Sequence, residues 1–176
     1  MDTRETESLP LYLEEVTPSG STSTLTQAQS LLLEYGRFVV SQPGVARFCF
    51  GSLEKEAARL PQAYHEQGGG CLMAYADGQP AGFIAWRAIP ESVAAKAWEL
   101  KRLWVRPFAR GLSLGRILTQ AVIDRAVGAG CRSVYLDTVP EAMPEAHRLY
   151  LDLGFEACAP YNDNPVEGLA YLRKRL

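Results

Sequence analysis

Leu103-Trp104-Val105-Arg106-Pro107-Phe108-Ala109-Arg110-Gly111-Leu112-Ser113-Leu114-Gly115-Arg116-Ile117-Leu118 is the stretch from which the fold is read. It predicts a buried strand that ends at Pro107, a tight turn carrying Arg110, Gly111 and Gly115, and then the first turn of a long amphipathic helix. A strand that empties through small residues into a helix N-terminus leaves several backbone N–H groups unpaired and aimed at one point, which suits a phosphate. Two common phosphate motifs are excluded by spacing. A Walker loop needs two glycines five apart followed by Lys and then Ser or Thr, whereas Gly111 and Gly115 are four apart and Arg116-Ile117 follows. The dinucleotide fingerprint, counted from Gly111, would put its next glycines where Ser113 and Arg116 stand.

Immediately before the bend, Ala97 to Val105 reads as a strand. Alternation puts Glu99, Lys101, Leu103 and Val105 on one face and Leu100, Arg102 and Trp104 on the other. After the bend, Ser113 to Val127 places Leu114, Ile117, Leu118, Ala121, Val122 and Arg125 on one helix face and is ended by Gly128-Ala129-Gly130. Ser133 to Thr138 is then a strand reached by a helical crossover, so it should run parallel to the strand before the bend. Upstream, Cys71 to Ala76 and Pro80 to Trp86 flank Asp77-Gly78, a hairpin signature. Before the hairpin come a strand at Leu11 to Val16, a helix from about Ser23 to Val40, a break at Gln42-Pro43-Gly44, and a second helix from Leu53 to Leu60 stopped by Pro61. Gly68-Gly69-Gly70 reads as a flexible boundary. Downstream, Glu141 to Leu153 is a helix closed by Gly154, and Phe155 to Pro160 with Gly168 to Arg173 form a last strand pair. This order predicts an α/β (mixed α+β) architecture, a central and mostly antiparallel sheet with helices on both faces.

The 176 residues suit a single domain over 1–176, with 47% apolar and 22% charged residues. Eighteen Lys and Arg against 20 Asp and Glu leave a net charge of -2, so no global basic field draws nucleic acid or an anionic membrane. A phosphate-bearing ligand would need local positive charge, which Arg106, Arg110 and Arg116 are placed to supply. Cys49, Cys71, Cys131 and Cys158 are widely separated and read as reduced thiols. Neither a signal-type h-region in Met1 to Ser8 nor a run of ~20 apolar residues stands in the chain, so a cytoplasmic protein is expected.

Arg110-x-x-Ser113-x-Gly115, preceded by an apolar strand ending in Val-x-Pro, resembles the pyrophosphate loop of the GNAT acetyltransferase superfamily, with Ser113 where the family usually has its first glycine. Leu149-Tyr150-Leu151-Asp152-Leu153-Gly154-Phe155 is similar to a second family motif, a helix end whose Tyr commonly lies near the sulfur of CoA. The resemblance runs from about Cys71 to the C-terminus. With Glu99 to Leu103 and Tyr161 to Val166 it extends to a bacterial subgroup of uncharacterised members. It implies the GNAT fold, acetyl-CoA as co-substrate, no metal, and an N-acetyltransferase acting on a small-molecule or peptide amine. Cofactor contacts are implied for Leu103, Trp104, Val105, Arg110, Gly111, Leu112, Ser113, Leu114, Gly115 and Arg116, with the Leu103 and Val105 backbones bonding the pantetheine amides like an added strand. Met143 and Pro144 stand where many members carry an Asn on the pantetheine arm. The oligomeric state is left open, a homodimer included.

Transfer to an amine needs the free base, and Glu99 is the candidate to take its proton; the alternative is a solvated pair with Lys101. Tyr150 is the candidate acid for the departing thiolate, set against a packed core tyrosine. Lys101, Tyr161 and Asn162 are candidate walls of the acceptor pocket. Phe48, Phe50, Tyr64, Trp86, Trp98 and Trp104 read as core, and His65 and His147 as surface residues without a supporting motif. No cluster has metal-ligand spacing. The rivals to an enzyme are a CoA-binding or regulatory module that has lost catalysis, and a phosphate-binding protein unrelated to CoA.

Overall fold

A computed structural model describes residues 10–43, 45 and 50–176. The expectations for Met1 to Ser8, Gly44, Phe48, Cys49 and the Phe50 side chain lie outside the described residues. The order is β1 (Leu11–Glu15), α1 (Thr22–Val40), α2 (Phe50–Ala58), α3 (Gln62–His65), β2 (Gly70–Ala76), β3 (Gln79–Ala88), β4 (Ala97–Val105), a 3-10 turn (Pro107–Ala109), α4 (Leu114–Gly128), β5 (Ser133–Thr138), α5 (Pro144–Asp152), β6 (Glu156–Ala157) and β7 (Ala170–Arg175). The strands form one sheet in the order β1-β2-β3-β4-β5-β7-β6, antiparallel throughout except for the β4–β5 pair. This is the mixed α/β architecture read from the sequence.

Each face of the sheet carries its own core. Leu31 and Leu32 of α1, Leu53 of α2 and Tyr64 of α3 pack on Met73, Phe83 and Ala85. On the opposite face Leu114, Leu118 and Val122 of α4, with Tyr150 of α5, cover Leu72, Ile84, Leu100 and Leu136. Helix α1 starts where Ser21 accepts a hydrogen bond from the Thr24 N–H at 3.0 Å.

Several expected boundaries move. A short helix, α3, follows Pro61, and α5 starts at Pro144, where proline's missing N–H costs nothing in a first turn. The last strand pair is shorter, with β6 only two residues long. Gly68-Gly69-Gly70 is not a flexible boundary. Gly70 opens β2, and a Cβ on Gly69 would stand 1.9 Å from the Trp86 carbonyl oxygen, so glycine is there to let two backbones approach.

Two irregularities in β4 position the rest. Phe83 of β3 faces Trp104 while Ala85 faces Lys101, so Ile84 spans both Arg102 and Leu103. Arg102 has φ +62. This bulge shifts the alternation by one residue. Leu100, Leu103 and Val105 consequently meet the α4 face, and Trp104 packs on the α1 side with Phe38. The expectation that Glu99 shares a face with Leu103 and Val105 is therefore wrong, because a strand with a left-handed residue does not keep period two. The second irregularity is an opening: β4 pairs with β5 only through Ala97–Glu99, opposite Ser133–Tyr135, although both strands continue. Beyond that point they part.

Candidate functional site

At the bend, the N–H groups of Gly111, Ser113, Leu114, Gly115 and Arg116 have no acceptor among the described residues. The first intrahelical bond of α4 is donated by Ile117 to the Ser113 carbonyl. Ser113 stands at the helix N-cap but makes no capping bond with its side chain. Its φ of +58 is the conformation in which glycine is at ease, and Gly111 has φ +84. Four of the five free amides begin at this left-handed residue and gather at the positive end of the helix dipole. Leu112 is different: its N–H bonds Ala109 O at 3.4 Å and its side chain joins the α4-side core, so it offers no donor.

The three arginines expected to serve the bend divide. Arg110 lies over the Trp104 ring at 5.5 Å and Arg116 makes only a loose 3.7 Å contact with Asp152, so both stay at the bend. Arg106 is withdrawn from it. Its Nε and Nη2 donate to Glu34 of α1 at 3.0 and 2.7 Å, and its Nη1 donates to the Pro80 carbonyl. Burial alone would raise the Glu34 carboxyl, but the hydrogen bonds from Arg106 and Trp104 outweigh it and hold it below its usual value.

A cavity of about 550 Å³ runs from the bend into the opening between β4 and β5. Leu103, Trp104, Val105, Arg110, Gly111, Ser113, Leu114, Gly115 and Arg116 all line it. Tyr35 and Phe38 of α1 line it together with Met143 and Leu149, and Tyr35, Phe38 and Met143 pack against one small apolar cluster, so the cavity is bounded by both helical layers. The Arg106 N–H bonds Ala81 of β3 at 2.8 Å. By alternation the backbone groups of Leu103 and Val105 point the other way, into the opening.

Glu99 lies behind this opening at 2% exposure. It is no solvated pair with Lys101. Its Oε2 accepts from Arg87 Nε at 2.6 Å, and its Oε1 accepts from the Tyr161 hydroxyl at 3.0 Å and from Asn162 Nδ2 at 3.3 Å. The same Asn162 amide donates to Asp137 Oδ2 at 2.8 Å, and Asn164 Nδ2 reaches that oxygen at 3.3 Å. Burial, then the Glu99 charge, push the Tyr161 phenol up, which keeps it a donor. Lys101 Nζ stands 3.8 Å from Glu99 Oε1, beyond hydrogen-bonding distance. Glu99, Arg87, Tyr161 and Asn162 line a second cavity, of about 530 Å³, and Lys101 lines a third, of about 250 Å³, with Lys55 and Arg59. The structure thus brings Glu99, Lys101, Tyr161 and Asn162 together.

Sequence reasoning missed Asp137, Arg87 and Glu34. Asp137 had a signal, a charged residue inside a strand where Tyr135 and Asp137 share a face and Val134 and Leu136 the buried one. Arg87 and Glu34 gave none, since their roles exist only across elements.

Tyr150 is 7% exposed, stacks edge-on with Phe155 at 5.9 Å and lies outside the cavity lining. Burial raises its phenol, and the charges of Tyr35 and Asp137 raise it further. Tyr64 and Trp86 are core as expected, Trp98 and Trp104 half-buried, and both histidines half-buried. Cys71, Cys131 and Cys158 are free thiols. Among the described residues no group of His, Cys, Asp and Glu could hold a metal, and no helix is long and apolar enough to cross a membrane.

The acetyltransferase (GNAT) family model matches residues 41–155. An uncharacterised N-acetyltransferase of Schizosaccharomyces pombe is 43% identical over 75 residues, 43% of this chain and 45% of that protein, so the chain spans less than half the length of this relative. An acetyltransferase from Streptococcus agalactiae superposes with a TM-score of 0.74 at 20% identity, covering 94% of this chain and 98% of the other. The PaiA N-acetyltransferase of Thermoplasma acidophilum, solved with coenzyme A, gives 0.68 at 16% identity, covering 96% and 100%.

Proposed function

The chain belongs to the acetyltransferase (GNAT) family, and from that premise we propose that it moves an acetyl group from acetyl-CoA to an amine by direct attack in a ternary complex. The observation that carries the reading is the set of free amides at Gly111 and Ser113 to Arg116, at the mouth of a cavity that follows the β4–β5 opening. Charge-assisted hydrogen bonds of about 1.5 to 3 kcal/mol each suit the pyrophosphate of CoA, with Arg110 and Arg116 beside it. Leu103 and Val105 would bond the pantetheine arm along the strand edge, against the Met143 wall.

Acetyl-CoA would supply an activated thioester; the chain's own residues position the acceptor and move protons. An ordinary ammonium, pKa ~10.4, is neutral in about one part in 2,500 at pH 7, a deficit of ~4.6 kcal/mol. Glu99, which accepts from Arg87, Tyr161 and Asn162, is the carboxyl group placed to hold the amine and receive its proton directly or through water, with Asp137 as the neighbouring acceptor. A Tyr150 phenol kept protonated at neutral pH can return a proton to the thiolate.

Thiol release from acetyl-CoA across an amine panel, with calorimetry of CoA against ADP, tests the whole reading. Turnover with any acceptor is expected. Tight CoA binding without turnover would mean a binding module, and equal affinity for CoA and ADP an unrelated phosphate site. Gly115→Glu should abolish CoA binding by placing a carboxylate before the amides; retained binding contradicts the bend assignment. Tyr150→Phe should lower turnover with CoA affinity kept. An unchanged rate would remove Tyr150 as the acid and leave Tyr35, which faces the cavity.

A further inference from the structure

Among the described residues Lys101 has no hydrogen-bond acceptor for its ammonium. Its side chain is 18% exposed, its nearest carboxylate oxygen is 3.8 Å away, and that oxygen already accepts from Tyr161 and Asn162. The neighbouring charges are committed elsewhere: Arg102 binds both oxygens of Glu56 at 3.0 and 3.1 Å, Arg59 pairs with Glu66, and Arg87 with Glu99. Lys101 and Lys55 therefore leave the 250 Å³ cavity with surplus positive charge. A half-buried ammonium with unfilled donors is a standing cost unless an anion completes it.

The adjoining cavity has a different character. Arg87 and Glu99 pair within it, Asp163 adds a second carboxylate, and Ile89, Pro90 and Val93 form an apolar wall. Arg87 and Gln67, joined by a 3.2 Å hydrogen bond, line both cavities and mark where they meet. An anion site and an ammonium site are thus separated by little more than the Lys101–Glu99 gap. That gap suits a molecule whose two charges sit on one carbon or its neighbour.

We propose that the acceptor is a compact amine bearing a carboxylate, an α-amino acid in its simplest form, with the carboxylate on Lys101, the amine toward Glu99 and an apolar side chain against Ile89, Pro90 and Val93. The inference rests on the acetyltransferase reading for its second half only, since the anion site stands on its own. Burial and the Arg102 charge press the Lys101 ammonium toward its neutral form, and a bound carboxylate opposes both.

The test compares L-leucine, leucinamide and 3-methylbutylamine, which share one side chain and differ in the carboxylate. Wild type should favour leucine over the other two by about 10- to 100-fold in kcat/KM. Lys101→Met should collapse that ratio toward one, and Lys101→Arg should restore part of it, which separates a lost charge from a misfolded site. Equal use of all three by wild type, or a Lys101→Met variant that loses all three in proportion, overturns the proposal; the latter result would make Lys101 a proton carrier or a structural residue. Calorimetry of leucine in the presence of CoA gives the independent reading. Leucine binding that Lys101→Met removes, with no thiol release from any amine, upholds the anion site and refutes the transferase. Absence of leucine binding alongside acetylation of 3-methylbutylamine refutes the anion site and keeps the transferase.

Discussion

Ser113 shows how one residue carries both a cost and a purpose. A left-handed backbone costs an L-residue with a Cβ about 1 to 2 kcal/mol, and Ser113 adopts it at φ +58 without a compensating cap bond. The same turn of the chain aims the following amides at one point, so the conformation is kept although glycine would hold it more cheaply. Ser113→Gly should raise stability by about 0.5 to 1 kcal/mol after glycine's own entropic cost, a rise in Tm of a few degrees. Thermal unfolding checks this, and a lower Tm would show that the serine side chain makes a contact of its own. At this scale the bend was readable: Arg110, Gly111, Ser113 and Gly115 are neighbours in sequence, and turn chemistry is local. The conformation of Ser113 was not, since serine rarely adopts it and only the helix start behind it imposes it.

Between elements, side chains decide the geometry. Glu34 of α1 accepts from both Arg106 and the Trp104 indole, at 3.2 Å for the latter, and so ties α1 to β4 just before the bend. Because the folded carboxyl lies below its unfolded value of about 4.3, the clasp stabilises the protein fully above that value. The contribution is lost as pH falls through the depressed folded value. Glu34→Gln should therefore cost about 1 to 2 kcal/mol at pH 7 and progressively less toward pH 3, read from urea unfolding at several pH values. A penalty that stays constant across that range would mean the charge is not what matters. The sequence showed the strands and helices but not the bulge. Its signature, a positive φ at Arg102, is imposed by pairing with β3 and by the Glu56 contact, neither of which alternation along β4 contains.

For the molecule as a whole, the opening of the sheet is what joins the two cores to one cavity. Tyr35 and Phe38 reach it from one layer and Leu114 and Leu149 from the other, so a ligand lying in it would tie both layers together. Acetyl-CoA at a hundred times its dissociation constant should stabilise the fold by about 2.7 kcal/mol and raise Tm by roughly 5 to 10 °C. Differential scanning fluorimetry measures the shift, and an unmoved Tm would count against a cofactor in the cavity. By itself the sequence determined the order of elements, the crossover that makes β5 parallel to β4, and the bend with its free amides, because periodicity and turn chemistry act over a few residues. Only the tertiary structure decided what surrounds Glu99. Tyr161 and Asn162 meet Glu99 from more than 60 residues away, Asp137 joins through Asn162, and a one-residue slip in β4 turns Glu99 away from Leu103. Such contacts are set by register and by which loop folds back over which strand, and neither leaves a local trace in the chain.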